Sequence, residues 1–366
     1  MTIDANQVTD APELLDTMMA DTMNGSDMFR PTNYWANYEK KLLPELKEQG
    51  LHDFRRRQKS ILGSFGAADL SAEFDYINLF GNPVLFNDIT KNIPLYTKFL
   101  KVGNLVINGL FAPSKSQLAG LHKKAFDFAA SMGKKYGAKP LESISMSRVG
   151  NPEDGFEING NFYTRSMLYY YISYAYASQF IDFDKVQVMA ELGSGGGKSA
   201  EIIKKFHPHI TILLFDIPPQ LYVCHQYLSK VFPGKVVDYS KTRTMTSLNE
   251  ITPGSIHVFG SWQFPLLKDY SPDLFWNASS FQEMEPEVVI NYLSYINPNA
   301  KEVFLQEKFQ GKEVAIRKGR HGVLRKTVME DYQKGLSNFR MKNIEPVYLP
   351  TGKEMNYSNS YWERIK

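Results

Sequence analysis

The sequence contains one cysteine, Cys224, so no disulfide can form within the chain and no metal centre can be built from several thiolates. That usage fits a reducing compartment, and a cytoplasmic location is expected. The chain has no Lys or Arg before Arg30, and its start, MTIDANQVTDAPELLD, lacks the basic opening and apolar run of a secretory signal. No stretch reaches the roughly 20 apolar residues that span a bilayer. No block of five or more like charges appears, and the formal net charge over 366 residues is only +3, so nothing asks for nucleic acid. The densest basic run, FRRRQK (Phe54–Lys59), reads as a solvated helix face, with a phosphate-bearing substrate as the alternative partner.

Hydrophobic residues make up 43% of the chain and charged residues 22%, which is enough apolar surface for one large domain or two modest ones. Residues 1–29 are acidic and weakly patterned, and a loosely ordered arm is expected there. Residues 30–180 read as a helical N-terminal cap and substrate region. Within it, Tyr34, Trp35, Tyr38, Leu42 and Leu43 share a helical face, with a kink expected at Pro44. Residues 66–112 suggest short helices and loops. SKSQLAGLHKKAFDFAASMGKKYG (Ser114–Gly137) is an amphipathic helix. VGNPEDGFEINGNFYTRSM (Val149–Met167) is expected to be a long ordered loop, leading into the tyrosine-rich helix LYYYISYAYASQFI.

From residue 181 onward the rhythm is strand, helix, strand. VQVMAEL, TILLFDI, GSIHVFG, DLFWNASS and AKEVFLQEK are strand candidates separated by helical segments, which predicts a mostly parallel sheet covered on both faces. The last two runs, KNIEPVYLP and NSYWERI, predict an antiparallel hairpin at the sheet edge.

The turn GSGGGKS (Gly193–Ser199) could be taken for a phosphate cradle. A P-loop requires G-x-x-x-x-G-K-[ST], and counting back from Gly197-Lys198-Ser199 places its first glycine at Leu192. The ATPase reading fails on that count. Glu191, Gly193, Gly195 and Gly197 instead fit [ED]-x-G-x-G-x-G at a strand-to-helix turn, with Ser194 between the first two glycines. Glycines there allow positive φ and a close backbone approach to a ligand. A carboxylate at Glu191 repels pyrophosphate and suits a ligand carrying an ammonium and a sulfonium. Asp216 ends the next strand, where a carboxylate accepts ribose hydroxyls. The alternative is that the glycines only pack helix on sheet and Asp216 only caps a helix.

ELGSGGGKSAEIIKK followed by LLFDIPPQ resembles motif I and the second-strand acid of class I S-adenosyl-L-methionine (SAM)-dependent methyltransferases. VGNPEDGFEINGNFYTRSMLYYY and DLFWNASSFQEMEPEVVINYL resemble, more narrowly, the bacterial sugar O-methyltransferases of polysaccharide and antibiotic biosynthesis. The resemblance runs from about Thr32 to the C-terminus. It implies an α/β, Rossmann-like fold with a seven-stranded, mostly parallel sheet. Its antiparallel last strand falls at Ser358–Ile365, and a mainly helical cap precedes the cofactor-binding domain of residues 181–366. It implies SAM as cofactor, S-adenosyl-L-homocysteine (SAH) as product, and a glycan or small-molecule acceptor. It places Asp216 and Ile217 beside the ribose, and Ser261, Trp262 and Gln263 near the adenine. Asn277, Ala278 and Ser279 fall below the methyl group, and Tyr163, Arg165 and Ser166 near the methionine carboxylate. Trp262 read as a core aromatic and Arg165 as a surface ion pair remain open alternatives.

A sugar hydroxyl is a weak nucleophile, so a base or a metal is required. Glu283, in SFQEMEP, stands where related small-molecule enzymes carry a His-Asp pair. His321, in the basic loop RKGRHGVLRK, is the second candidate base and Asp269 a distant third. Mg²⁺ is admitted by the family, but no HxH, HxxxH or DxD cluster indicates it, and no metal ligand is assigned. His207 and His209 have ligand spacing and are read as structural. A homo-oligomer is left open. An acceptor other than a sugar, such as a phenol or polyketide, and a non-catalytic SAM-binding protein are the rival readings.

Overall fold

The computed structural model describes residues 6–56 and 115–365. The expectations for residues 66–112, and the end of the FRRRQK run, lie outside the described residues.

The chain opens with helix α1 (Pro12–Thr22), started by a proline at its first turn. It is followed by α2 (Asn33–Gln49), which continues through Pro44, then α3 (Lys115–Tyr136). Residues 6–29 differ from the loose arm expected of them. Leu15 and Met18 are buried, and the chain just before α1 is pinned by the Tyr222 hydroxyl, which accepts from Ala11 N at 2.8 Å. Gln226 adds a bond to the Thr9 carbonyl. The N-terminal apolar residues find cover on helix α6 (Pro218–Val231), which a pattern taken alone does not reveal.

The expected loop at 149–167 is also more regular than anticipated. It holds an antiparallel hairpin, β1 (Gly155–Ile158) and β2 (Asn161–Thr164). Asn159 and Gly160 join the strands with φ of 51° and 81°, the signature of a type I′ turn. Helix α4 (Arg165–Ala177) follows, capped by Thr164, whose hydroxyl accepts from Met167 N.

The core of the chain is one eight-stranded sheet. Its strands are β3 (Val188–Leu192), β4 (Thr211–Asp216), β5 (Val236–Val237), β6 (Ile256–Gly260), β7 (Leu274–Ala278), β8 (Glu302–Glu307), β9 (Phe339–Tyr348) and β10 (Glu354–Arg364), in the order β5-β6-β4-β3-β7-β8-β10-β9. Short β5 makes eight strands where seven were expected. Strand β10 runs antiparallel to both neighbours, and the six strands before it pair in parallel. Strand β4 is buried along its whole length, as a central parallel strand between two helical layers must be. The architecture is therefore an α/β Rossmann-like fold with an antiparallel C-terminal hairpin and an N-terminal helical region.

Strand order fixes where a ligand can bind. From β3 the chain steps to β4 and β6 on one side, then returns to lay β7 on the other. The crevice at the C-terminal ends of β3 and β7 is the topological switch point, where open α/β sheets bind ligands. Among the described residues, no helix is long and apolar enough to cross a membrane.

Candidate functional site

A cavity of about 260 Å³ opens at this switch point. Its floor is the glycine turn between β3 and helix α5 (Lys198–Phe206). Gly193 and Gly197 both have φ of 77°, and each is hemmed in. A Cβ at Gly193 would lie 2.4 Å from Ser280 Cβ, and one at Gly197 would lie 2.9 Å from Leu228 and 3.0 Å from Cys224 Sγ. Gly195, at φ 52°, would meet nothing within 4 Å, and it lines the cavity. Gly193 lines the cavity while packing against Ser280, Gly197 serves packing behind it, and Gly195 between them leaves room for a ligand.

Charges of both signs face this floor. Glu191, 2% exposed, lines the cavity, and its Oε2 has no hydrogen-bond partner. Burial raises its pKa to about 8, against a hydrogen bond with Ser199 that lowers it. Asp216 also lines the cavity, and burial raises its pKa to about 7. Its Oδ2 accepts from Gly195 N at 2.7 Å and its Oδ1 from Ile217 N at 2.7 Å, so it already clamps the turn. A carboxylate offers about four lone-pair sites, and capacity is left over for a ligand hydroxyl. Lys198, 8% exposed, also lines the cavity, and its Nζ lies 5.4 Å from the centre of the Tyr170 ring. Burial lowers its pKa to about 8. Lys198 and Tyr170 both line the cavity, and the sequence reading gave neither a site role. The signal for Lys198 was present but was spent on rejecting the P-loop.

Ile217, Ser194, Ser261, Ala278 and Ser279 line the cavity as well. Ser279 holds φ at 67°, an uncommon conformation for a residue with a Cβ, at the end of β7. The neighbours named with them do other work. The Trp262 ring folds back over Gly260, where a Cβ would sit 2.2 Å from it, and the residue's Cβ lies against Gly25. Trp262 is therefore a packing aromatic and is not among the cavity-lining residues. Gln263 braces Gly260 N and the Thr242 carbonyl. Asn277 is fully buried and ties the Leu192 carbonyl to Ser280. Gln263, Asn277 and Gly197 thus shape the walls from behind.

The residues expected at the methionine carboxylate lie away from the cavity lining. Tyr163 is buried against Phe126 and Phe156. Ser166 N donates to Asp154. Arg165 is buried in the first turn of α4, contrary to the surface-pair alternative, and burial lowers its pKa to about 10. Arg55 likewise departs from the solvated-face reading. It is 1% exposed and donates to the carbonyls of Ser147 and Val149.

The far wall comes from α2: Tyr34, Trp35 and Tyr38 stand together at ring separations of 5.1–5.9 Å. Glu283, in the turn after β7, meets them. Its Oε2 accepts from Trp35 Nε1 at 3.0 Å, and its Oε1 lies 3.3 Å from Lys312 Nζ. Burial is the largest influence and raises its pKa to about 7, with Lys312 opposing. His321 is exposed and is not among the lining residues. Its ring lies 5.1 Å from that of Tyr34 and 5.6 Å from that of Tyr38. Asp269 is exposed and does not line the cavity. His207 is buried between the Tyr174 hydroxyl and Asp184, and burial lowers its pKa to about 4. Among the described residues, no group of three or more His, Cys, Asp or Glu side chains could hold a metal ion.

No family model matches this sequence, and no curated protein matches it. Solved structures match in part. The pyocyanin biosynthetic protein PhzM is 12% identical, with 53% of this chain and 58% of that chain covered and a TM-score of 0.34. Magnesium protoporphyrin IX methyltransferase from Synechocystis PCC 6803, with bound SAH, is 10% identical over 55% of this chain and 84% of that one, with a TM-score of 0.38. Human N-acetylserotonin methyltransferase with SAM is 15% identical over 56% and 57%, with a TM-score of 0.31. PhzM and the human enzyme are thus matched over little more than half their length. At this level the likeness gives no role to any residue here, and the functional argument rests on the cavity itself.

Proposed function

We propose that this chain is a SAM-dependent O-methyltransferase acting on a sugar hydroxyl. The observation that carries the cofactor reading is the buried, unpartnered Oε2 of Glu191 beside a glycine with open space above it. A buried carboxylate oxygen without a partner is costly, and a cationic ligand relieves it. A phosphate chain would make it worse. Lys198 supplies the opposite charge in the lining of the same cavity, and the two charges suit the ammonium and carboxylate of an amino-acid tail. In this reading Lys198 takes the role that the sequence gave to Arg165. Asp216 receives the ribose hydroxyls, and Ile217 and Ser261 flank the nucleoside.

When bound, the cofactor supplies an electrophilic methyl group on a sulfonium. The chain must then align the acceptor and take its proton. Glu283 suits that proton transfer, since a base with a pKa of about 7 is half ionised near neutral pH. The aromatic wall of Tyr34, Trp35 and Tyr38 offers flat faces on which a sugar ring can rest. The same wall supports a second reading, a phenolic acceptor, because aromatic faces accept either ring. The GNP and SFQEM stretches favour the sugar.

Calorimetry with SAH and with ATP tests the cofactor reading directly. SAH should bind and ATP should not displace it from the cavity; ATP that competes tightly with SAH, or indifference to SAH, overturns it. A mass-shift screen of sugars and phenols, each read for the gain of one methyl, then decides the acceptor class.

A further inference from the structure

The run from Lys312 to Lys326 contains six basic residues and one acid, Glu313. Three of the bases have work inside the fold or at its surface already: Lys312 pairs with Glu283, Arg325 pairs with Glu287, and Lys326 packs its stem beside Gly311. Arg317, Lys318 and Arg320 are exposed, and among the described residues none of them makes an ion pair within 4.0 Å.

The loop backbone that carries these three cations is held against α2. Asn33, in the first turn of α2, grips the loop backbone by three hydrogen bonds. Its Nδ2 donates to the carbonyls of Arg320 at 2.9 Å and Gly322 at 2.7 Å, and its Oδ1 accepts from Gly319 N at 2.7 Å. His321 lies against Tyr34 and Tyr38, both cavity residues, and Leu324 N donates to Glu285. The loop is therefore latched to the helix that walls the cavity. Its unpaired cations are carried beside the mouth. Guanidinium groups favour phosphate oxygens, which accept two parallel bonds, and a lysine adds a point charge beside them.

From this latch and these charges we infer that the acceptor carries a diphosphate group, recognised outside the cavity by Arg317, Lys318 and Arg320. The hydroxyl to be methylated then reaches inward between the α2 aromatics and Glu283. This rests on the methyl-transfer reading, and it narrows the acceptor from any hydroxyl compound to a diphosphate ester. Inorganic pyrophosphate and a nucleoside diphosphate share the recognised chemistry and differ in what lies beyond it.

The test is calorimetric titration of pyrophosphate and of UDP into the full chain and into an Arg317→Ala, Lys318→Ala, Arg320→Ala variant. Both probes should bind the unaltered protein and weaken with added salt. The variant should lose about tenfold or more in affinity for both, while its melting temperature and SAH affinity stay unchanged. A loss confined to UDP would overturn diphosphate recognition, since the pyrophosphate would then be bound elsewhere. Equal affinity in the two proteins, or no binding of either probe, would overturn it as well. SAH titrated into the unaltered protein keeps the two readings apart. Failure of SAH alone removes the methyl-transfer reading, and failure of the diphosphates alone removes this one.

Discussion

Trp35 Nε1 donates to Glu283 Oε2 at 3.0 Å, joining helix α2 to the turn after strand β7. The bond places a carboxylate whose pKa is about 7 at the meeting of the N-terminal helices and the sheet. The base proposed here therefore depends on both parts of the chain at once.

Replacing Glu283 with Gln should lower kcat by about 10²–10⁴-fold on whichever acceptor turns over, with SAH affinity nearly unchanged. The rate of the unaltered enzyme should rise with pH through about 7, as Glu283 loses its proton. Replacing Trp35 with Phe removes a hydrogen bond that favours the charged form, so the rising limb should move to higher pH. A pH–rate profile checks both. A Gln variant with full activity would remove Glu283 from the chemistry.

Glu191 links cofactor affinity to stability. Its folded pKa of about 8 lies above the usual 4.5, because burial disfavours the charge. Below about 4.5 the carboxyl is neutral folded and unfolded alike. As pH rises from there through 8, the unfolded chain ionises first and the ligand-free protein is progressively destabilised. Glu191→Gln should therefore stabilise the ligand-free protein at pH 8, on the order of 1–3 kcal/mol, and leave it little changed at pH 4. The same substitution should weaken SAH. Denaturant melts at the two pH values and one SAH titration supply the three readings.

Much of this arrangement was legible from local pattern. The alternation of apolar strands and amphipathic helices marked the parallel sheet, and the count from Leu192 to Ser199 separated the glycine turn from a P-loop. Long-range packing was not legible. Tyr34, Trp35 and Tyr38 share a helical face in any reading, but periodicity does not say whether that face meets core or cavity. The indole of Trp262 lies over Gly260 because that glycine has no Cβ to exclude it, a contact with no periodic signature. Asn159-Gly160 was a hairpin signal inside a segment read as loop for its glycine and asparagine content.

In the proposed binding mode Lys198 meets the amino-acid tail of the cofactor and leaves the nucleoside untouched. Lys198→Met keeps much of the apolar stem and removes the charge, so SAH should bind about 10–100-fold more weakly, the range for a lost charged hydrogen bond. 5′-Methylthioadenosine lacks the amino-acid carboxylate, and its affinity should change little. Calorimetry with the two ligands on both proteins gives the interaction directly. An equal loss for both ligands would mean that the lysine only supports the fold.

The three glycines of the turn make the sharpest contrast. At Gly193 an alanine Cβ would meet Ser280 Cβ at 2.4 Å, on a backbone with φ of 77°. Overpacking and strain together should cost about 2–4 kcal/mol, and the protein should melt earlier whether or not ligand is present. At Gly195 the same methyl enters open space, with only the strain of φ 52° to bear. Gly195→Ala should lose about 1–2 kcal/mol of stability, yet it should block SAH, because the added carbon projects where the ligand would lie against the turn. Melting curves rank the two variants one way and SAH affinity normalised to folded protein ranks them the other. If Gly195→Ala binds SAH as well as the unaltered chain does, the ligand does not approach the turn at that residue.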